Sequence, residues 1–142
     1  YVDSNFGIAP SERGFTSWNW CRGHTPEGHC EIHYDAQLRS GKEKRVSLLI
    51  DKAGTVERTA SPPLQQLKKG AIWRVPRPAR LPVSTRASLR TLEDTPFYTR
   101  SQLHVSDRQF MHESLDLTRF CRPWVQWLLP FRMPRRAAAR SS

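Results

Sequence analysis

Phe15-Thr16-Ser17-Trp18-Asn19-Trp20-Cys21, followed after the turn-forming residues 23–28 by Cys30-Glu31-Ile32-His33-Tyr34-Asp35-Ala36-Gln37-Leu38, is the stretch on which the fold depends. Side chains of an extended chain alternate between faces, so Trp18 and Trp20 share one face of the first run. Ile32, Tyr34, Ala36 and Leu38 likewise share one face of the second. With Gly23 and Gly28 bracketing the polar link, the two runs read as an antiparallel hairpin.

Working outward, residues 44–50 and 55–59 read as a second hairpin, turned by Asp51-Lys52-Ala53-Gly54. Pro62 and Pro63 then break the pattern. Residues 64–69 are expected to form a short helical turn and residues 71–75 a strand; Pro76, Pro78 and Pro82 mark an extended crossing in which Arg74, Arg77 and Arg80 stay solvated. Further strands are expected at 85–92, 97–105 and near 109–117, and strands at this spacing predict a mostly β protein, an antiparallel barrel or sandwich. Pro123 can open and Pro130 close a short C-terminal helix over 124–129, apolar on nearly every side. The β-rich part is read as spanning 1–134, with 135–142 a basic, disordered tail.

Lys and Arg number 23 against 13 acidic residues, a formal charge of +10, which calls for an anionic partner. No helix-turn-helix, zinc-finger or RNP-like string occurs and the arginines are dispersed, so nucleic acid is not the expected partner. No apolar run reaches the roughly 18 residues of a membrane-spanning helix. Cys21, Cys30 and Cys121 form no disulfide framework and favour a reducing compartment. Cys21-x-x-His24 and Cys30-x-x-His33 carry zinc-ligand residue types, but the link between them is short and Cys30 and His33 would face opposite ways, so no metal is expected.

Tyr1 and Asp3, two apart, point to the same side of a strand. A carboxyl desolvated beside an aromatic has a raised pKa, as a general acid needs at neutral pH. The alternative is that Asp3-Ser4-Asn5-Phe6-Gly7 is a turn whose Asp and Asn bond their own backbone. Trp18, Trp20, Tyr34 and Trp73 would offer flat faces to an elongated apolar ligand inside a barrel, or simply pack a core. Trp124 and Trp127, ahead of Arg132, Arg135 and Arg136, either cover the barrel mouth or lie in a membrane interface.

Taken together, Tyr1-Val2-Asp3-Ser4-Asn5-Phe6-Gly7, Trp18-Asn19-Trp20-Cys21-Arg22, Ile32-His33-Tyr34-Asp35, Glu113-Ser114-Leu115-Asp116-Leu117 and the closing Trp124-Val125-Gln126-Trp127-Leu128-Leu129-Pro130-Phe131-Arg132-Met133-Pro134-Arg135-Arg136 resemble the acyclic carotenoid 1,2-hydratases, also called hydroxyneurosporene synthases. The part matched is the C-terminal half or so of that family's chain, and an opening at Tyr1 without an initiator Met reads as a fragment. The resemblance implies a lipocalin-like β fold and addition of water across the terminal C1–C2 double bond of acyclic carotenoids such as neurosporene or lycopene, without a cofactor. It places the family's Tyr-x-Asp pair on Tyr1 and Asp3, while the family's upstream histidine and tryptophan have no counterpart, and Cys21 stands where relatives commonly carry a small residue. The implied partners are the carotenoid and water, with a membrane surface on the bacterial cytoplasmic side.

The corresponding mechanism is acid catalysis. Asp3 protonates C2, charge appears at C1, water captures it, Tyr1 orients or relays, and the rings of Trp18 and Trp20 face the cation. Arg22 is expected to pair with Glu12 or Asp35, since pairing with Asp3 would depress the acid. A non-catalytic lipid-binding barrel shares every feature but the acid.

Overall fold

A computed structural model describes residues 11–70, 72–81 and 87–128. After a single helical turn, α1 (Ser11–Gly14), the two opening runs form the predicted hairpin: β1 (Phe15–His24) pairs antiparallel with β2 (Cys30–Leu38), Trp20 opposite Tyr34 and Trp18 opposite Ala36. β3 (Glu43–Ile50) and β4 (Val56–Arg58) form the second hairpin. In its turn the Thr55 N–H donates to Asp51 Oδ1 at 2.8 Å, and Gly54 takes a left-handed φ of 87° that costs glycine nothing sterically.

Residues 64–69 depart from the expected helical turn: β5 (Leu64–Gln66) is a strand paired with β6 (Pro78–Arg80). Pro62 and Pro63 hold the entry extended, and the Leu67 N–H donates to the Arg77 carbonyl at 3.0 Å, so the backbone finds its partners across a ladder. The strand expected at 71–75 is likewise absent over residues 72–75, where Arg74 has a φ of 52°. Arg77 and Arg80, expected in solvent, are 1% and 6% exposed; of the three arginines Arg74 alone is exposed. Their burial is possible because each finds a partner on the main sheet.

β7 (Ala87–Asp94), β8 (Tyr98–Val105) and β9 (Arg108–Asp116) complete an antiparallel sheet of order β4-β3-β2-β1-β9-β8-β7. β1 lies at its middle, bonded on one side to β2 and on the other to β9. β4 and β7 are sheet edges, so among the described residues the sheet is open where a closed barrel was one expectation. β5 and β6 lie against one face as a second, smaller layer, giving the sandwich-like alternative. α2 (Leu117–Phe120) is capped by Asp116, whose Oδ1 accepts from the Thr118 and Arg119 N–H groups, and α3 (Pro123–Leu128) starts at the predicted proline and buries Val125.

The face covered by β5 and β6 carries Asn19, Cys21, Gly23, His33, Ser47, Thr99, Ser101, Leu103, Val105, Phe110, His112 and Ser114, all buried. One end of it is apolar, a cluster of Cys21, Ala79, Leu81, Leu103, Val105 and Phe110. Glycine at position 23, though weak in a strand, is required there because a Cβ would collide with the Phe110 ring on the neighbouring strand. The other end is polar and is tied to the upper layer. The Ser114 hydroxyl donates to the Pro76 carbonyl at 2.8 Å, His112 Nε2 to the Pro78 carbonyl at 2.9 Å, and Arg77 to Thr91 Oγ1 at 2.8 Å. Each such bond contributes about 1 kcal/mol net, but leaving its buried partner unsatisfied costs about 1–3 kcal/mol, so the polar end fixes where the second layer sits.

Candidate functional site

Tyr1, Asp3, Arg132, Arg135 and Arg136 lie outside the described residues. The described part of the site is the sheet face opposite β5 and β6. The register sets Trp18, Trp20 and Arg22 of β1 beside Tyr34 and Ile32 of β2, then Val46 and Leu48 of β3, and on the other flank beside Leu115, Glu113 and Met111 of β9. These side chains are half-buried, and Trp18 stacks on Tyr34 with ring centroids 6.3 Å apart at 29°. Burial raises the Tyr34 phenol above its ordinary pKa, keeping it neutral.

The face changes character across the sheet. Toward β3 it is aliphatic; toward β8 it is polar, with Arg100 3.6 Å from Glu113 and the Tyr98 phenol within the influence of the same carboxylate. The Tyr98 phenol is pushed up, first by burial and then by that negative charge. A cleft of about 510 Å³ opens at this side, lined by Trp20, Arg22, His24, Arg100, Gln102, Gln109, Phe110, Met111 and Glu113. A smaller one of about 160 Å³ lies at the opposite ends of β1 and β9, between Trp18, Asn19, Ser114, Leu115, Asp116 and the prolines Pro76 and Pro78. The larger cleft opens on the aromatic face, whereas the smaller one reaches under the second layer through Asn19, Ser114, Pro76 and Pro78. An apolar aromatic face can hold an elongated flat hydrocarbon by area alone, and ring faces stabilise a nearby cation by about 0.5–2 kcal/mol.

Arg22 does not reach toward Asp35 as expected. It faces the cleft side with Trp20, whereas Asp35, opposite Asn19, faces the second layer and is held by Arg80 and Arg45. Trp73 is placed apart from Trp18, Trp20 and Tyr34: its ring stacks on Trp124 of α3 at 5.9 Å and 19°. Trp127 on the same helix is 69% exposed.

Strand register brings Ser47, His33, Cys21, His112, Ser101 and Thr91 into one row across the packed face. His33 Nδ1 is 3.1 Å from the Ser47 hydroxyl, itself 2.7 Å from that of Ser61, and burial lowers the His33 pKa against the opposing pull of Glu31 and Asp35. His112 is pushed down to about 4, chiefly by burial. Because its Nε2 donates to a carbonyl, its Nδ1 is an acceptor, and like Asn19 Oδ1, Thr99 Oγ1 and Ser101 Oγ it has no hydrogen-bond partner among the described residues. Cys21, buried between the histidines, has its thiol pushed up to about 12 by burial and then by Glu31. The zinc-type residues split as expected, Cys21 with His33 on this face and His24 with Cys30 on the other, and no metal-binding group of three occurs among the described residues. This row escaped the sequence reading because polar residues alternating with Trp and Ile look solvent-facing; the signal for it was the arginine-bearing proline segment, which supplies the lid.

The class these features define is an antiparallel β protein with one face closed by a polar layer and an apolar, aromatic face half open. The family model described as carotenoid hydratase CrtC matches residues 1–142, and the chain belongs to that family. It is similar to the acyclic carotenoid 1,2-hydratases of Thiocapsa roseopersicina, 41% identical over 95% of this chain and 34% of the relative, and of Rubrivivax gelatinosus, 34% identical over 96% of this chain and 35% of the relative. That of Rhodobacter capsulatus is 33% identical over 96% of this chain and 50% of the relative. The chain thus spans about a third to a half of the length of the curated relatives it matches. No solved structure matches it.

Proposed function

We propose that this chain forms part of an enzyme that hydrates the terminal C1–C2 double bond of an acyclic carotenoid by acid catalysis, without a redox cofactor. The polyene lies along the face carrying Trp18, Trp20, Tyr34, Ile32 and Leu48. Asp3 delivers its proton to C2, the electron pair of the double bond forms the new C–H bond, and C1 becomes a tertiary cation. Water adds its oxygen to C1 and returns a proton to the Asp3 carboxylate, so the acid is regenerated. Tyr1 orients Asp3 or relays the proton.

The observation that carries this reading is the half-open apolar face, with Trp18 stacked on Tyr34, in a chain of the carotenoid hydratase family. Replacing the matching span of the Thiocapsa roseopersicina relative by this chain and supplying lycopene tests it. Hydrated product is expected, and Asp3→Asn should abolish it while carotenoid binding persists, because the amide keeps the shape but gives up no proton to an alkene. Full turnover by Asp3→Asn would return Asp3 to a turn residue and favour the non-catalytic lipid-binding reading.

A further inference from the structure

We infer that Ile72, Trp73, Trp124 and Trp127, flanked by Arg74 and Arg122, form a surface that seats on an anionic lipid bilayer. Ile72 is 76% exposed, Trp124 44% and Trp127 69%, an arrangement a protein surface rarely concentrates in one place without use. Two segments distant in the chain meet here. Trp73 stacks on Trp124, Ile72 precedes Trp73, and Trp127 follows Trp124 by three positions, on the same side of α3.

The patch is held rather than loose. Arg119 donates to the Trp73 carbonyl at 2.6 Å and to the Arg74 carbonyl at 3.3 Å, while its Nε reaches Asp116 at 3.1 Å. Those bonds clamp Arg74 in its left-handed conformation, φ 52°, which a residue with a Cβ adopts only where its surroundings enforce it. Exposed apolar rings are therefore presented on a fixed frame.

Charge selects the occupant. The side chains of Arg74 and Arg122 are exposed and make no ion pair among the described residues. Neither residues 68–81 nor residues 117–128 contain an acidic residue, and the carboxylates that neighbouring strands bring up, Asp94 and Asp116, face Arg77 and Arg119, which leaves Arg74 and Arg122 to set the charge of the patch. A stable protein interface takes roughly 20–30 residues a side, far more than this patch supplies, whereas interfacial anchoring needs only a few inserted side chains with basic neighbours. Tryptophan is also the residue favoured at the head-group level.

The surface is independent of the hydratase reading and is tested without carotenoid. In flotation with phosphatidylcholine vesicles containing phosphatidylglycerol, the chain is expected to float, and less so as salt rises. Ile72→Ser with Trp127→Ser, and separately Arg74→Glu with Arg122→Glu, should each lower the bound fraction at limiting lipid by at least about tenfold. Both leave Arg132, Arg135 and Arg136 in place, so the loss reports this patch, and unchanged urea midpoints show that the fold is kept. Equal flotation of the parent and both variants would overturn the proposal. So would failure of the parent to float, including the case where the same substitutions instead abolish a concentration-dependent dimer in sedimentation.

Discussion

Arg80 and Asp35 join the two layers of the protein through a two-pronged ion pair, with Nε 2.9 Å from Oδ2 and one terminal nitrogen 2.8 Å from Oδ1, while the other terminal nitrogen donates to the Pro62 carbonyl at 2.9 Å. The guanidinium side chain is 7% exposed and the carboxylate 15%. Removing Arg80 leaves the Asp35 carboxylate with only the exposed Arg45 as its partner, so Arg80→Leu should destabilise the fold by about 3 kcal/mol. Arg80→Leu with Asp35→Leu should cost less than the single change. Urea unfolding of the parent and the two variants measures this, and a double variant less stable than Arg80→Leu would contradict it.

Gly23 and Phe110 make a second such relationship, in which a side chain lies over a position that has none. Gly23→Ala should cost about 1–3 kcal/mol through overpacking. Because the three atoms nearest to such a Cβ all belong to the Phe110 ring, Phe110→Leu should recover part of that cost. A double-mutant cycle with a coupling of at least about 1 kcal/mol is expected, and a coupling near zero would show that the strand shifts instead.

His112 makes stability depend on pH. Its folded pKa of about 4 lies below the ordinary value of 6.5, so between the two the unfolded chain takes up a proton that the folded chain refuses. The contribution is complete above pH 6.5 and is lost as the pH falls through that window toward 4. Between pH 7 and pH 4.5 the parent should lose about 2 kcal/mol more than His112→Gln, whose amide can still donate to the Pro78 carbonyl. Equal losses in urea would place the sensitivity elsewhere, His33 being the nearest group lowered in the same direction.

The strands of the large sheet were legible because their signals are local: alternation in β1 and β2, the Asp51 to Gly54 turn and Pro123 at the start of α3 all fall within a few residues, whereas β5 and β6, which pair only with each other, were not. Which face of the sheet is packed was not. Trp18, Trp20, Ile32 and Tyr34 have the composition of a core, yet the buried side is that of Asn19, His33, Ser47 and His112. Burial there is decided by a distant layer whose carbonyls and arginines satisfy polar side chains, and a segment with prolines at 76, 78 and 82 reads as solvated until its partners are known. For the site, the grouping of Trp18, Trp20 and Tyr34 followed from alternation, whereas the stack of Trp73 on Trp124 joins residues with no sequence relation.

The cysteines should differ in reactivity in the order of their exposure. Cys121 is exposed, Cys30 intermediate and Cys21 buried with its thiol pushed up to about 12. A thiol reagent at neutral pH should label Cys121 first and Cys21 only on unfolding, because the thiolate is the nucleophile. Early labelling of Cys21, read by mass spectrometry, would mean that the second layer opens readily.

The aromatic face can be separated from the core by comparing two substitutions. Trp18 is half-buried and its stack on Tyr34 is worth about 0.5–1.5 kcal/mol, so Trp18→Leu should lower stability only modestly. Leu103, fully buried in the apolar cluster, should cost about 2–5 kcal/mol on truncation to alanine. Affinity for an acyclic carotenoid, followed by quenching of tryptophan emission, should move the other way. Trp18→Leu removes a flat partner from the polyene and should weaken binding about tenfold, since each 1.4 kcal/mol is a factor of ten. Leu103→Ala, on the opposite face, should leave the affinity of the folded fraction unchanged. Equal carotenoid binding by Trp18→Leu and the parent would move the seat of the polyene off this face, leaving the Trp18 and Tyr34 stack as packing between two strands.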